Sequence, residues 1–465
     1  MSAAAGAVTP PLAPVAARTR RLLDGPVAPT LLRLAAPNVV VLVVQVGLNT
    51  LEAYFVGWLG AEAIAGVSVA FPVIMLMQTM SAGGMGGGVA SAVARALGAG
   101  RRADANALVL HALLIALGMG ALFTLGVLTG GPALYGAMGA TGGTLAAALA
   151  YSNVIFAGAV LVWLFNTLAS VVRGTGNMQL PAVVVIAGAP LTAALSPALI
   201  FGWGPLPHLG IAGAATAFLS YYALGALVFL VYLRSGRSLA TLRFRGARLR
   251  ARLFIDILRV GAPGIVNTVQ TNLTIVILTG LVGAFGTPAL GGYGMGVRLE
   301  YMMIPLVFGI GAALVTMVGT NYGAGQRARA RRVAWIGAAT AAAITETIGL
   351  GAALFPHAWI GLFSSDPEVL AVGAAYLRTV GPAYGFFGLG LALYFASQGA
   401  GRLLWPILAG LARLLVAAVG GWAAVHWLAG GLAPLFTVMA LALVVFGATI
   451  AVAVARGAWH TGGKR

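Results

Sequence analysis

Apolar stretches long enough to cross a bilayer recur from Thr30 to Arg456, and they constrain the fold more than any other feature of the chain. A transmembrane helix needs about 20 consecutive apolar residues, and hydrocarbon offers no partner to an unpaired backbone amide. The runs are continuous rather than alternating in polarity, which favours helices over the strands of a barrel. With 60% hydrophobic and 8% charged residues, the chain lacks the polar surface to solvate folded domains of this length. We therefore predict an all-α membrane protein.

The apolar runs predict about twelve transmembrane helices in two six-helix lobes around a central cleft. The expected spans are 30–58, 63–97, 103–129, 144–172, 179–203, 209–234, 255–284, 288–321, 329–354, 367–397, 402–427 and 431–456. The longest polar segment between spans runs from Arg234 to Arg252 and separates two sets of six. The expected domains are a disordered tail at 1–29, an N-terminal lobe at 30–234, a basic linker at 235–254, a C-terminal lobe at 255–456 and a second tail at 457–465.

The basic residues fall on one side of this arrangement. Loops on that side hold arginine or lysine, whereas the loops around Gly60, Gly130, Pro205, Gly286, Pro356 and Gly430 hold neither. Positive residues concentrate in cytoplasmic loops, so we expect both termini to be cytoplasmic, in a bacterial inner membrane. The net charge of +18 then reflects topology rather than nucleic-acid binding. For the basic linker, binding of anionic lipid headgroups is an alternative to a plain connection between lobes.

Cysteine and histidine usage argues against an enzyme. The chain has no cysteine, and its five histidines are scattered without ligand spacing. A membrane-embedded enzyme needs clustered catalytic groups, which are missing here. We therefore expect no catalytic residues, no metal site and no cofactor.

The two halves of the chain repeat each other. Four pairs of segments match at offsets of 226, 226, 225 and 225 residues: LLRLAAP ending at Pro37 with ILRVGAP ending at Pro263, VGWLGAEAIAG from Val56 with VGAFGTPALGG from Val282, ALGAGRR from Ala96 with NYGAGQR from Asn321, and RGTGNMQLP from Arg173 with GAGRLLWP ending at Pro406. Repeats of six spans share one orientation, which predicts a pseudo-two-fold axis along the membrane normal.

These segments, together with LGIAGAA from Leu209, resemble the multidrug and toxic compound extrusion family. The segment RLEYMMIPLVFGIGAALVTMVGTNYGAGQ from Arg298 is similar to the branch of the DNA-damage-inducible F proteins. The resemblance implies export of bulky cationic or amphipathic drug-like compounds in exchange for H⁺, less readily Na⁺, by alternating access, and hence antibiotic resistance. A flippase or exporter of a lipid-linked or other small amphipathic metabolite is the alternative. We expect the protein to be a monomer, with the transported compound and membrane lipid as its partners.

Glu52 is the main candidate for cation coupling. A carboxylate inside hydrocarbon is costly unless it is protonated, paired with a cation or in contact with water, so a glutamate within a span is a functional candidate by default. Gln45 and Asn49 share its helix face, and the family resemblance places an essential aspartate at the position of Glu52. A carboxylate that caps its helix or reaches the outer interface is the structural alternative. The repeat partner is Leu278, so coupling is expected in the N-terminal lobe alone.

The sequence departs from two branches of the family. Where the archaeal type has an asparagine and an aspartate in the fifth span, this chain has Thr192 and Ser196. Where the sodium-driven type has acids in the seventh and tenth spans, it has Thr271 and the acid-free stretch 387–389. These departures favour H⁺ over Na⁺ as the coupling ion.

Several other polar residues within spans are candidates for substrate binding. Those expected to face the substrate are Glu300, Tyr301, Asn267, Gln270 and Asn166. The alternatives are an intramembrane ion pair at Glu300, with Arg378 or Arg413 as partner, and interhelical hydrogen bonds for the amides.

A structural charge network is expected at Arg298, Glu346 and Arg378, and the run SAGGMGGG from Ser81 is expected to pack or bend helices rather than cradle a phosphate.

Overall fold

The protein is described by a computed structural model covering residues 14–243, 248–427 and 431–459. Every regular element in these ranges is helical. The helices are α1 Pro14–Asp24, α2 Val27–Gly57, α3 Ala61–Gly98, α4 Arg102–Ala137, α5 Gly142–Ala157, α6 Ala159–Gly174, α7 Gln179–Phe201, α8 Ile211–Arg234, α9 Ala251–Gly283, α10 Thr287–Gly323, α11 Arg327–Leu354, α12 Pro356–Ile360, α13 Pro367–Ala400, α14 Leu404–His426 and α15 Leu432–Ala455.

Twelve spans form two six-helix lobes, as the apolar pattern predicts. Within the described ranges, ten helices are long and apolar enough to cross a membrane. The pair α5 and α6, bent by 51°, makes an eleventh span, and the 31-residue α2 makes the twelfth. A π-helical segment at Met80–Met85 interrupts α3, where the glycine-rich run relaxes the helix.

The expectation of a disordered tail is wrong for residues 14–29. Helix α1 occupies Pro14–Asp24, and α2 begins at Val27 rather than at residue 30. Leu22 is buried and its carbonyl accepts a hydrogen bond from Asn321 Nδ2 on α10 at 3.0 Å. Arg329 on α11 donates to the carbonyl of Gly25. The segment is therefore ordered because it packs against the C-terminal lobe; residues 1–13 lie outside the described ranges.

The basic linker packs on the N-terminal lobe. The backbone amide of Thr241 donates to Asn106 Oδ1 at 2.8 Å, and that of Arg250 donates to His111 Nε2 at 2.9 Å. Asp104 accepts ion pairs from Arg250 and from Arg252. These contacts hold the described part of the linker against α4, whereas residues 244–247 lie outside the description.

The lobes meet through a symmetric pair of close backbone contacts. A Cβ on Gly98 of α3 would lie 2.0 Å from the carbonyl oxygen of Thr320 on α10. A Cβ on Gly323 of α10 would lie 2.1 Å from the carbonyl oxygen of Arg95 on α3. Positions 95 and 98 are the repeat partners of 320 and 323, so the two contacts are exchanged by the pseudo-two-fold axis. Only glycine permits helices to cross this closely.

Polar contacts between lobes cluster on the same side, where the arginine-rich loops lie. Arg95 on α3 forms a 2.8 Å ion pair with Asp256 on α9. Thr316 on α10 donates to the carbonyl of Arg173 on α6 at 2.9 Å, and Ser91 donates to the carbonyl of Gln398 on α13. The cleft between the lobes is thus closed at the basic face of the molecule.

Candidate functional site

Glu52 lines a small cavity inside the N-terminal lobe. The cavity lies between α2, α7 and α8, and its other lining residues are Leu48, Leu51, Phe55, Thr192, Ala193, Ser196, Ala214 and Phe218. Tyr151 on α5 donates a hydrogen bond from its hydroxyl to Glu52 Oε1 at 2.6 Å. Ser196 is buried, and its Oγ has no hydrogen-bond partner within the described residues. The site is therefore a carboxylate with one hydroxyl donor, Tyr151, in a chamber that also contains the unbonded hydroxyl of Ser196 and the hydroxyl of Thr192, which donates to the carbonyl of Gly188, and is otherwise apolar.

Gln45 and Asn49, which were predicted to lie beside Glu52, are not both found at its cavity. Gln45 is exposed, two turns from Glu52 towards the start of α2, and it does not line the cavity. The side chain of Asn49 lies outside the described residues. Tyr151 was not anticipated from the sequence, because a single tyrosine on an apolar helix gives no indication of the partner it meets. Thr192 and Ser196 were noticed only through the family resemblance, as replacements for polar residues.

Glu300 is neutralised by a neighbouring helix. Arg413 Nη2 on α14 lies 3.3 Å from Glu300 Oε1 on α10, and the two side chains are only 9% and 16% exposed. The guanidinium also lies over the rings of Phe387 and Phe446, at 5.6 to 5.8 Å from their centroids. The ion pair links two spans of the C-terminal lobe, which agrees with the structural alternative rather than with an open acid facing substrate.

The three polar residues expected beside the substrate are engaged between helices. Asn166 is buried and donates from Nδ2 to Ser81 Oγ at 2.8 Å, which ties α6 to the π-helical segment of α3. Asn267 and Gln270 face α14, where a Cβ on Gly410 would lie 3.2 and 2.5 Å from their amide oxygens. This placement favours the interhelical alternative. Tyr301, in contrast, is 44% exposed.

The predicted charge network does not form. Among the described residues, no ion pair joins Arg298, Glu346 and Arg378. Arg298 lies over the ring of Phe363 at 5.3 Å, Arg378 is exposed, and Glu346 Oε2 accepts the backbone amide of Gly385 at 2.6 Å. The three residues point to different neighbours because they lie on different helices and faces. Glu346 instead caps the backbone just after the 3₁₀ turn in α13.

Comparison with known proteins decides the family. The MatE family model matches residues 37–198 and matches again over 263–423. The chain belongs to the MATE family of transporters. The two matches begin at Pro37 and Pro263, which are the repeat partners identified in the sequence, so each lobe of this MATE protein is one copy of the family unit.

Individual relatives of this MATE chain are transporters. The FAD transporter of Shewanella oneidensis is 27% identical over 85% of this chain and 87% of its own length. The multidrug export protein MepA of Staphylococcus aureus is 23% identical over 83% of this chain and 85% of its own. A multidrug resistance MATE family transporter solved in an outward-facing conformation covers 94% of this chain and 97% of its own at 23% identity, with a TM-score of 0.85. The last likeness shows the fold.

Proposed function

We propose that the chain is a secondary active exporter of amphipathic small molecules in a bacterial inner membrane, driven by H⁺ entry. The basic face then lies in the cytoplasm, together with both termini, because positive loops stay on that side. The resemblance of residues 298–326 supports a place near the DNA-damage-inducible F proteins. The protein would work as a monomer in contact with membrane lipid.

The single observation that carries the proposal is the environment of Glu52. In the described part of the chain no cationic side chain pairs with this carboxylate, whereas Glu300 has Arg413. An unpaired carboxylate in an apolar chamber is most cheaply neutralised by binding a proton. The Tyr151 hydroxyl fixes one carboxylate oxygen, and the other accepts no hydrogen bond from the residues that the structure describes. Glu52 is thus suited to take up a proton on one side of the membrane and release it on the other.

Closure of the lobes at the basic face supports alternating access. A cleft sealed towards the cytoplasm is the state in which an exporter releases substrate outwards and takes up a proton. The proton site lies within the N-terminal lobe, about α2, α7 and α8, and not between the lobes. Coupling therefore requires α2 to move relative to α7 when Glu52 changes charge, and this movement must alter the packing of α2 on α10.

A second candidate is export of a metabolite rather than of drugs. It is favoured by the similarity to the Shewanella protein named a FAD transporter, which covers most of both chains. The drug-export reading is favoured by the similarity to MepA. Both use the same cleft and the same proton site, so they differ in substrate alone.

The test is ethidium export by protein reconstituted into liposomes. We expect transport under an imposed pH gradient, little transport under a sodium gradient, and loss of pH-driven transport in Glu52→Gln. The matched control is Glu62→Gln, which removes an exposed carboxylate at the start of α3 and is expected to retain transport. Sodium-driven transport, or full activity in Glu52→Gln, would overturn the proposal for the coupling ion or for its site.

A further inference from the structure

A second small cavity lies between the two lobes. The N-terminal lobe contributes its glycine-rich face on α3 together with Ser170 and Arg173 of α6. The C-terminal lobe contributes two phenylalanines and Gln398. The cavity thus adjoins the closure at the basic face, at the position where a substrate in the cleft would come to rest.

Arg173 brings an unneutralised positive charge to this cavity. No ion pair to Arg173 occurs among the described residues, and its buried Nε has no hydrogen-bond partner there. Two other arginines with largely buried side chains differ, since Arg413 pairs with Glu300 and Arg95 pairs with Asp256. Arg329 also forms no ion pair within the described ranges, but it donates to the carbonyl of Gly25. A guanidinium held in a membrane protein without a counter-charge indicates a ligand that supplies one.

Gln398 supplies an independent unsatisfied group at the same cavity. Its side chain is fully buried, and Nε2 donates to the carbonyl of Gly83 at 3.1 Å and to the Tyr394 hydroxyl at 2.8 Å. Its Oε1 has no partner in the described part of the chain. An acceptor without a partner, in a cavity that is also lined by an arginine without an ion pair, suits a ligand that carries both an anionic group and a hydroxyl or N–H donor.

Two aromatic rings on one wall of the cavity suit a ligand with a planar ring system. The rings of Phe308 and Phe395 lie 5.5 Å apart in an edge-to-face arrangement on the C-terminal side. Opposite them, a Cβ on Gly87 would lie 2.2 Å from Gln398 Oε1, and one on Gly86 would lie 2.6 Å from Ser170 Oγ. The space above these glycines is filled by the side chains of Gln398 and Ser170, so the glycines let two polar groups approach the backbone closely.

We propose that this pocket binds the anionic group, a phosphate or carboxylate, of an amphipathic substrate with a planar ring system, and that Arg173 is the residue that recognises it. The inference rests on the proposed export function for its biological meaning but concerns binding alone. It adds compounds that are anionic at one end to the cationic compounds expected from the family resemblance. Only the anionic group enters this pocket, and the rest of the molecule lies in the cleft.

Riboflavin and FMN are suitable probes because they share one ring system and differ by a single phosphate. Binding to purified protein in detergent is measured by the change in flavin fluorescence anisotropy, with inorganic phosphate as a competitor. Hydrogen bonds to charged groups correspond to about 10- to 100-fold in affinity. We expect FMN to bind more tightly than riboflavin by about this factor, and Arg173→Gln to abolish the preference. The control Arg102→Gln removes an exposed charge and is expected to keep it.

A second variant keeps the proposal testable if Arg173→Gln does not fold. Ala312 lines the cavity, so Ala312→Asp places a carboxylate near Arg173 without removing it; it too is expected to abolish the preference for FMN. Weak competition by millimolar phosphate is expected, because phosphate is the group that is recognised. Inorganic phosphate that displaces FMN at concentrations as low as FMN itself would assign the site to free anions and would overturn the claim that a substrate is recognised. Equal affinities for the two flavins in the wild type, or a preference that survives both variants, would also overturn it. Because no gradient is present, loss of export with retained FMN binding contradicts only the proposed function.

Discussion

The crossing of α3 and α10 at Gly98 gives a prediction whose size follows from the structure. In Gly98→Ala the new Cβ would lie 2.0 Å from the carbonyl oxygen of Thr320, whereas ordinary contact begins near 3.4 Å. The two backbones must therefore separate by about 1.4 Å, the difference between these distances. The obstacle is a helical carbonyl, so no side-chain rotation relieves the clash.

The energetic effect falls on one conformation only. Overpacking of this kind costs about 1–3 kcal/mol. The clash exists only while the lobes are packed at the basic face, so this cost shifts the equilibrium towards the state that is open on that side. A difference of that size corresponds to about 5- to 150-fold in the ratio of the two states. Gly323→Ala, its repeat partner, meets the carbonyl oxygen of Arg95 at 2.1 Å and is expected to act similarly.

The absence of cysteine from the chain makes the assay simple. Ala90 lines the cavity between the lobes and is 6% exposed, so Ala90→Cys is a reporter that becomes reachable when the basic side opens. Its rate of labelling by a membrane-impermeant maleimide is measured in inside-out vesicles. Gly118→Ala is the matched control, because a Cβ there meets nothing within 4 Å while the gain in helix propensity is the same.

We expect labelling of the reporter to accelerate at least fivefold in Gly98→Ala and to stay at the parental rate in Gly118→Ala. If a folded Gly98→Ala protein is labelled no faster than the parent, the close crossing does not hold the basic side shut. The reasoning from the glycine contacts would then be wrong.

Two further predictions concern the ion pairs. Arg413→Met leaves Glu300 buried without its partner and should lower the free energy of unfolding by about 3–5 kcal/mol, whereas the double variant Arg413→Met with Glu300→Gln should lose much less. Thermal unfolding in detergent measures both losses, and equal losses would contradict a specific ion pair. Asp256→Asn removes the partner of Arg95 at a partly exposed site, so labelling of the Ala90→Cys reporter should become faster by about fivefold or less. If Asp256→Asn accelerates labelling more than Gly98→Ala does, the ion pair rather than the glycine crossing seals the lobes.

The fold could be predicted because its main determinants are local. Each span is an apolar run longer than a bilayer requires, and the repeat from Pro37 to Pro263 shows directly that six spans are duplicated. The tail was the exception. Its helix α1 is ordered by contacts with Asn321 and Arg329, which are some 300 residues distant in sequence. Burial against a distant element leaves no trace in local composition.

The candidate sites were only partly predictable, for the same reason. Glu52 is visible in the sequence because a carboxylate within a span is rare, but its partner Tyr151 is one of several tyrosines in apolar helices. Glu300 had Arg378 and Arg413 as possible partners, and only the three-dimensional arrangement of the C-terminal lobe, in which the side chain of Arg413 reaches Glu300, selects Arg413. In the sequence, Arg173 is only one residue of a family motif. Its lack of a counter-charge is apparent only when the surrounding helices are known.

The central claim is that substrate export is exchanged for a proton at Glu52, and substrate-evoked proton flux tests it most directly. Ethidium is added to liposomes that contain the protein and a pH-sensitive dye, without any imposed gradient. We expect substrate to drive a change in lumenal pH with the wild type and with Glu62→Gln, and no change with Glu52→Gln. A proton flux that persists in Glu52→Gln, or wild-type transport that moves no protons, would contradict the account.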